Sequence, residues 1–145
     1  MKKVNQIISE VSGIYQWLEG ELAKLSQTCD ACGKCCDFES FGHRLYVTTP
    51  ELMYFRHHLG PEIKEMTTGV CPYRIGGKCT VYPYRFAGCR IFTCKGDSKK
   101  ENAVCEEAVR RFKALCNEYG LDYRYVYLQS GLEMLKKNPK RRTTN

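Results

Sequence analysis

Val4, Val11, Leu18 and Leu25 recur every seven positions, and Ile8, Tyr15 and Leu22 recur at the same period four positions later. This spacing predicts an amphipathic helix over about residues 4–26 with one apolar stripe. Gly13 and Gly20 lower its intrinsic helicity, so packing on the chain's own domain is favoured over a coiled-coil seam. Further on, Leu45 to Val47 form a β-prone stretch. Thr49 as N-cap and Pro50 in the first turn then predict a helix that Gly60 ends in a left-handed conformation, ahead of Pro61. His57 and His58 fall in its last turn, where a histidine complements the negative end of the helix dipole.

Gly76-Gly77 predicts a turn between Tyr73 and the β-prone residues 79–82. Ser98 and Glu101 have the spacing of a capping box for a helix running to about Tyr119, with Gly120 as its stop. A second helix is predicted from near Asp122, because Leu121, Tyr125, Leu128, Leu132 and Leu135 keep helical spacing. The alternation of Tyr123, Tyr125 and Tyr127 leaves a strand open at its beginning. The fold class is therefore mainly α: helix 4–26, a Cys-rich region 29–94 with a few short β-strands, helices over 98–137, and a basic tail at 138–145.

The 145 residues suit one domain, and 43% hydrophobic with 12% aromatic content is a globular composition. Much of the net charge of +7 sits in "KKNPKRR", residues 136–142. No basic stripe with interleaved aromatics accompanies it, so a solubilising tail is favoured over a nucleic-acid partner. The start has two lysines but no long apolar stretch, and no run approaches the roughly 18 apolar residues of a membrane span. These features lead to the expectation of a cytoplasmic protein with no membrane partner; the oligomeric state stays open.

Ten cysteines change the picture, four of them within "CDACGKCC" at residues 29–36. A reducing cytosol keeps ordinary thiols reduced, which favours metal over a disulfide scaffold. Cys105 and Cys116 share a helical stripe with Val109 and Phe112 and read as core residues. Eight thiols remain in loop settings: Cys29, Cys32, Cys35, Cys36, Cys71, Cys79, Cys89 and Cys94. The two-residue gaps between Cys29, Cys32 and Cys35 let three thiolates converge on one ion, with Gly33 supplying a turn. Neighbouring side chains in extended backbone point opposite ways, so Cys35 and Cys36 suit separate irons or separate sites. His43 is a further, weaker ligand candidate.

"CDACGKCC" followed by "CPYRIGGKCTVYPYRFAGCRIFTC" resembles the CxxCxxCC family of zinc- or iron-chelating domains, of YkgJ type, over about residues 29–94. That family has C-x2-C-G-x-C-C, then C-P ahead of a turn, then C-x-I-Y-x-x-R-P-x-x-C-R-x-F-P-C. The resemblance implies that the same eight cysteines bind metal, with Tyr82, Arg85 and Arg90 as accompanying motif residues at the cofactor. Phe86 and Thr93 stand where the family has prolines, which bears on backbone shape and removes no ligand. Physically, Arg90 beside Cys89, and Arg85, suit charge balance and hydrogen bonds to sulfur, and Tyr82 suits shielding.

Three functions follow as expectations. The first is a metal-binding protein chelating iron, as an iron–sulfur cluster, or zinc. The second is an iron–sulfur-dependent protein-modifying or redox enzyme, kept open by larger proteins of similar cysteine motif that look like lysine methylases of flagellin. The third is a zinc-stabilised interaction module. Metal ions are the expected partners, with a protein partner or protein substrate open. No glycine-rich nucleotide loop and no carboxylate pair at catalytic spacing points to an enzyme, while a cluster can itself be a reactive centre. Iron is favoured over zinc, because the run of two-residue gaps and the remote Cys71-Pro72 echo ferredoxin spacing. One partition sets Cys29, Cys32, Cys35 and Cys71 around one centre and Cys36, Cys79, Cys89 and Cys94 around another.

Overall fold

The structure, a computed structural model, describes residues 2–24, 45–67, 71–76, 78–91 and 98–137. Cys29, Cys32, Cys35, Cys36, Cys94, His43, Gly33 and the tail at 138–145 lie outside the described residues. What is described is mainly helical, with two antiparallel two-stranded sheets.

Helix α1 (Lys2–Lys24) buries Val4, Ile8, Val11, Tyr15, Leu18 and Leu22, the heptad positions, together with Ile7. It packs on α2 (Thr49–Leu59) and α4 (Ser98–Tyr119), so its stripe is covered within the chain. Ala108, Phe112 and Leu115 of α4 complete this first apolar cluster. Phe112 is fully buried, and truncating such a phenylalanine costs about 3–5 kcal/mol.

Helix α2 is buried from Pro50 to Phe55 and there forms a wall shared by two cores. Met53 and Tyr54 face the first cluster; Leu52 and Phe55 face a second one that holds Leu45, Val47, Ile63, Met66, Tyr73 and Phe86. The remaining members, Leu128, Leu132 and Leu135, lie on α5 (Leu128–Lys137). Ile63, Met66, Tyr73 and Phe86 all belong to the Cys-rich region, so that region supplies core as well as loops. Among the described residues no helix is long and apolar enough to cross a membrane.

The cap of α2 is Thr48, one residue before the position predicted. Thr48 has extended backbone, φ −106° and ψ 162°, and its N–H donates to the Glu51 carboxylate at 3.2 Å, the return bond of a capping box. Thr49 is engaged elsewhere: its hydroxyl donates to Asp122 O at 2.9 Å and accepts from Arg124 N at 2.8 Å. At the other end Gly60 has φ 57°, and its N–H donates to Arg56 O, as the glycine signal predicts.

Strand β1 (Tyr46–Thr48) pairs antiparallel with β4 (Tyr125–Tyr127), Val47 opposite Val126. Residues near Asp122 are therefore not the start of a helix, and α5 begins only at Leu128. The tyrosine alternation won over helical spacing because β1 offers a partner edge: Tyr46 stacks on Tyr125 with ring centroids 5.2 Å apart, and Thr49 N and Leu128 N extend the bonding beyond the strands.

Candidate metal centre

Between the cores lies a tight run of short elements. Strands β2 (Arg74–Ile75) and β3 (Lys78–Cys79) form a hairpin with Arg74 opposite Cys79, and Gly76 takes φ 61° in its turn. The predicted strand at 79–82 is shorter than expected. Pro83 supplies a fixed φ and no N–H, and Tyr82–Tyr84 coil into a 3₁₀ turn. Helix α3 (Ala87–Ile91) follows and carries Cys89 and Arg90. A side chain at Gly88 would collide with Leu45, so glycine lets α3 lie directly against β1.

Three of the eight candidate ligands are described. Cys71 opens the hairpin, where its carbonyl accepts from Arg74 N at 3.1 Å; Cys79 ends β3; Cys89 sits in α3. All three are half-buried, and Cys71 and Cys89 border the same apolar cluster. Among the described residues no three His, Cys, Asp or Glu side chains group as a metal site. The other five candidates lie outside the described residues, so each four-thiolate set is only partly on view.

The motif residues Tyr82, Arg85 and Arg90 form a clamp around this run. Arg85 lays its guanidinium over the Tyr82 ring, 3.7 Å from the centroid, and donates from Nε to Tyr82 O at 2.9 Å. It reaches Cys89 O at 3.4 Å. Arg90 lies over the Tyr15 ring at 4.1 Å and donates to Arg85 O at 2.8 Å and Pro83 O at 3.1 Å. Its third bond joins it to Glu19 of α1 at 2.9 Å. Both arginines thus spend donors on the backbone from Tyr82 to Cys89, and they fix that backbone to α1.

Glu51 is the residue that sequence reasoning missed. It is 2% exposed, and its carboxylate accepts from Thr48 N, Thr48 Oγ1, Tyr15 Oη and Ala87 N. The last is an N–H at the start of α3, so one carboxylate ties α1, β1 and α2 to the helix bearing Cys89. The four bonds each favour the ionised form, yet burial outweighs them and holds the Glu51 pKa above its ordinary value. Burial first, and then the Glu51 charge, raises the Tyr15 pKa well above normal. A Thr-x-x-Glu spacing at residues 48–51 was the signal, obscured by reading Thr49 as the cap.

The two outlying thiols lie where the helical stripe predicted. Cys116 is fully buried and Cys105 packs half-buried against the first cluster. Burial, then Asp122, pushes the Cys116 thiol up to about 11; burial, then Glu51, raises that of Cys105. Cys105 helps line a cavity of about 60 Å³ with Tyr46, Glu51 and Tyr125, room for about two waters and far below a substrate site. His58 stacks on Tyr84 at 4.6 Å, and partial burial followed by His57 lowers its pKa.

Soft thiols on short, pinned elements, beside apolar side chains that limit water, are a donor set suited to zinc or an iron–sulfur cluster. One atom nearby is unaccounted for: Arg74 Nε is buried with no hydrogen-bond partner among the described residues. Compared with protein-family models, curated proteins and solved structures, the chain has no match.

Proposed function

We propose that this chain is a metal-binding protein that chelates iron, as an iron–sulfur cluster, or zinc through Cys29, Cys32, Cys35, Cys36, Cys71, Cys79, Cys89 and Cys94. The observation that carries the reading is the separation of the thiols into two settings. Cys105 and Cys116 lie on the long helix α4, Cys116 fully buried and Cys105 packed against the first core. Cys71, Cys79 and Cys89 sit half-buried on a hairpin and a five-residue helix. The eight-cysteine spacing adds the remaining donors.

When bound, an iron–sulfur cluster supplies one-electron chemistry and zinc supplies a structural cross-link. The chain's own part is to hold the donors. Arg85 and Arg90 tie the 82–90 backbone to α1, Glu51 holds the first N–H of α3, and Tyr82 presents its ring to Arg85. Iron is preferred on the consecutive two-residue gaps and the remote Cys71-Pro72.

Elemental and acid-labile sulfide analysis of anaerobically purified, untagged protein tests the reading. The expected result is iron and sulfide in comparable amounts, retained in Cys105→Ala and lost in Cys71→Ala. Colourless protein with tightly bound zinc and no sulfide would replace the cluster with a zinc site. Protein holding neither metal, before and after reconstitution, would end the reading.

A further inference from the structure

We propose that Arg85 and Arg90 form a seat for a phosphomonoester dianion, which enters by displacing the Glu19 carboxylate. The inference stands apart from the metal-binding reading above. Both side chains are held in place before any ligand arrives: they are only 10% and 8% exposed. Arg85 lies over the Tyr82 ring and donates Nε to Tyr82 O. Arg90 lies over the Tyr15 ring and donates Nε to Arg85 O and Nη2 to Pro83 O. What remains of their donors points to Glu19. Arg90 Nη1 donates to Glu19 Oε2 at 2.9 Å, whereas Arg85 Nη2 stands 3.8 Å from the same oxygen, beyond hydrogen-bond distance. Among the described residues Arg85 Nη2 has no acceptor.

The charges are also uneven. Two guanidiniums share one carboxylate that is itself 47% exposed, and among the described residues no other carboxylate lies within ion-pair distance of either. Buried cations call for compensating negative charge. Glu19 supplies one charge and engages through one oxygen, too little to bond both arginines. A phosphomonoester carries close to two charges and three acceptor oxygens, enough to take Arg90 Nη1 and Arg85 Nη2 together. Pre-organised guanidinium forks are the side chains that match phosphate geometry. Glu19 is poorly placed to resist displacement. An ion pair exposed at one end is worth about fivefold or less in an equilibrium constant, and hydrogen bonds to a charged group are worth more. Glu19 thus closes the seat in the free chain without filling it.

Inorganic phosphate titrated into the full-length chain at constant ionic strength, with Kd read from phosphorus NMR line broadening, tests the proposal. The wild type should bind phosphate and not acetate at the same concentration. Glu19→Gln, which removes the competing carboxylate, is expected to bind phosphate about two- to fivefold more tightly. Glu21→Gln removes a charge on the same helix that pairs with Lys24, and should keep wild-type affinity. Arg85→Gln should weaken binding about tenfold or more. If Arg85→Gln loses its native far-UV spectrum, the Glu19 and Glu21 variants decide alone. Phosphate binding absent from both the wild type and Glu19→Gln overturns the inference, as does unchanged affinity in Glu19→Gln or in folded Arg85→Gln. Equal tightening in Glu19→Gln and Glu21→Gln, the mark of an adventitious ion drawn by surface charge, overturns it too. Acetate bound as tightly as phosphate removes the dianion. None of these outcomes depends on iron, zinc or sulfide content, so this inference and the metal reading fail separately.

Discussion

A carboxylate at 2% exposure, held by four donors and still raised in pKa, makes Glu51 a measurable probe of how the centre is supported. Its folded pKa stands above the ordinary 4.5, so over the window from 4.5 upward the folded chain keeps a proton that the unfolded chain has released. The stability contribution of Glu51 is then fully present below 4.5 and is lost as pH rises through the raised value. Glu51→Gln abolishes that titration. Its amide NH₂ cannot accept from one of the two backbone N–H groups now bonded, a cost of about 1–3 kcal/mol. Urea unfolding of the two proteins from pH 4.5 to 8 should therefore show the variant less stable, with the gap narrowing as pH rises. Parallel pH profiles would mean that Glu51 titrates as it does in the unfolded chain.

The short helix α3 is too brief to stand on propensity alone, so its position depends on what grips it. Arg90 has a side chain only 8% exposed and three bonds, two of them to carbonyls of the preceding turn; Glu19, its ionic partner, is 47% exposed. The two ends of this ion pair should differ in cost. Arg90→Ala removes the partners of Pro83 O and Arg85 O and is expected to destabilise by about 2–3 kcal/mol. Glu19→Ala forfeits an exposed ion pair and should cost less than about 1 kcal/mol. Equal losses in denaturant unfolding would move the clamp's weight from the carbonyls to the ion pair. Elements with strong periodicity and clear stops were legible: α1 from its heptads, α2 and α4 from Gly60 and Gly120. The β4 strand was not, because Tyr125 and Leu128 satisfy a helical stripe and a strand equally, and only the partner edge of β1 decides. Cys105 and Cys116 were separable by their stripe. Glu51 was not singled out, since its role depends on a cap shifted by one residue.

Two apolar clusters meet at α2, and among the described residues the first contains no candidate ligand. The α1–α4 pairing is closed by residues such as Ile7, Leu18, Phe112 and Leu115, whereas Cys71 and Cys89 border the second cluster. A metal held only by the folded chain would favour it by mass action, contributing about 2.7 kcal/mol at a free concentration 100 times Kd. At about 4 °C per kcal/mol for a domain near this size, verified complete removal should lower Tm by about 10 °C. The far-UV helical signal below the transition should mostly persist, because α1 and α4 keep their packing. Loss of the whole helical signal would make metal a condition of folding for both clusters. Unchanged Tm and unchanged dichroism would remove metal as an organiser of the Cys-rich centre, leaving Glu51, Arg85 and Arg90 to hold it.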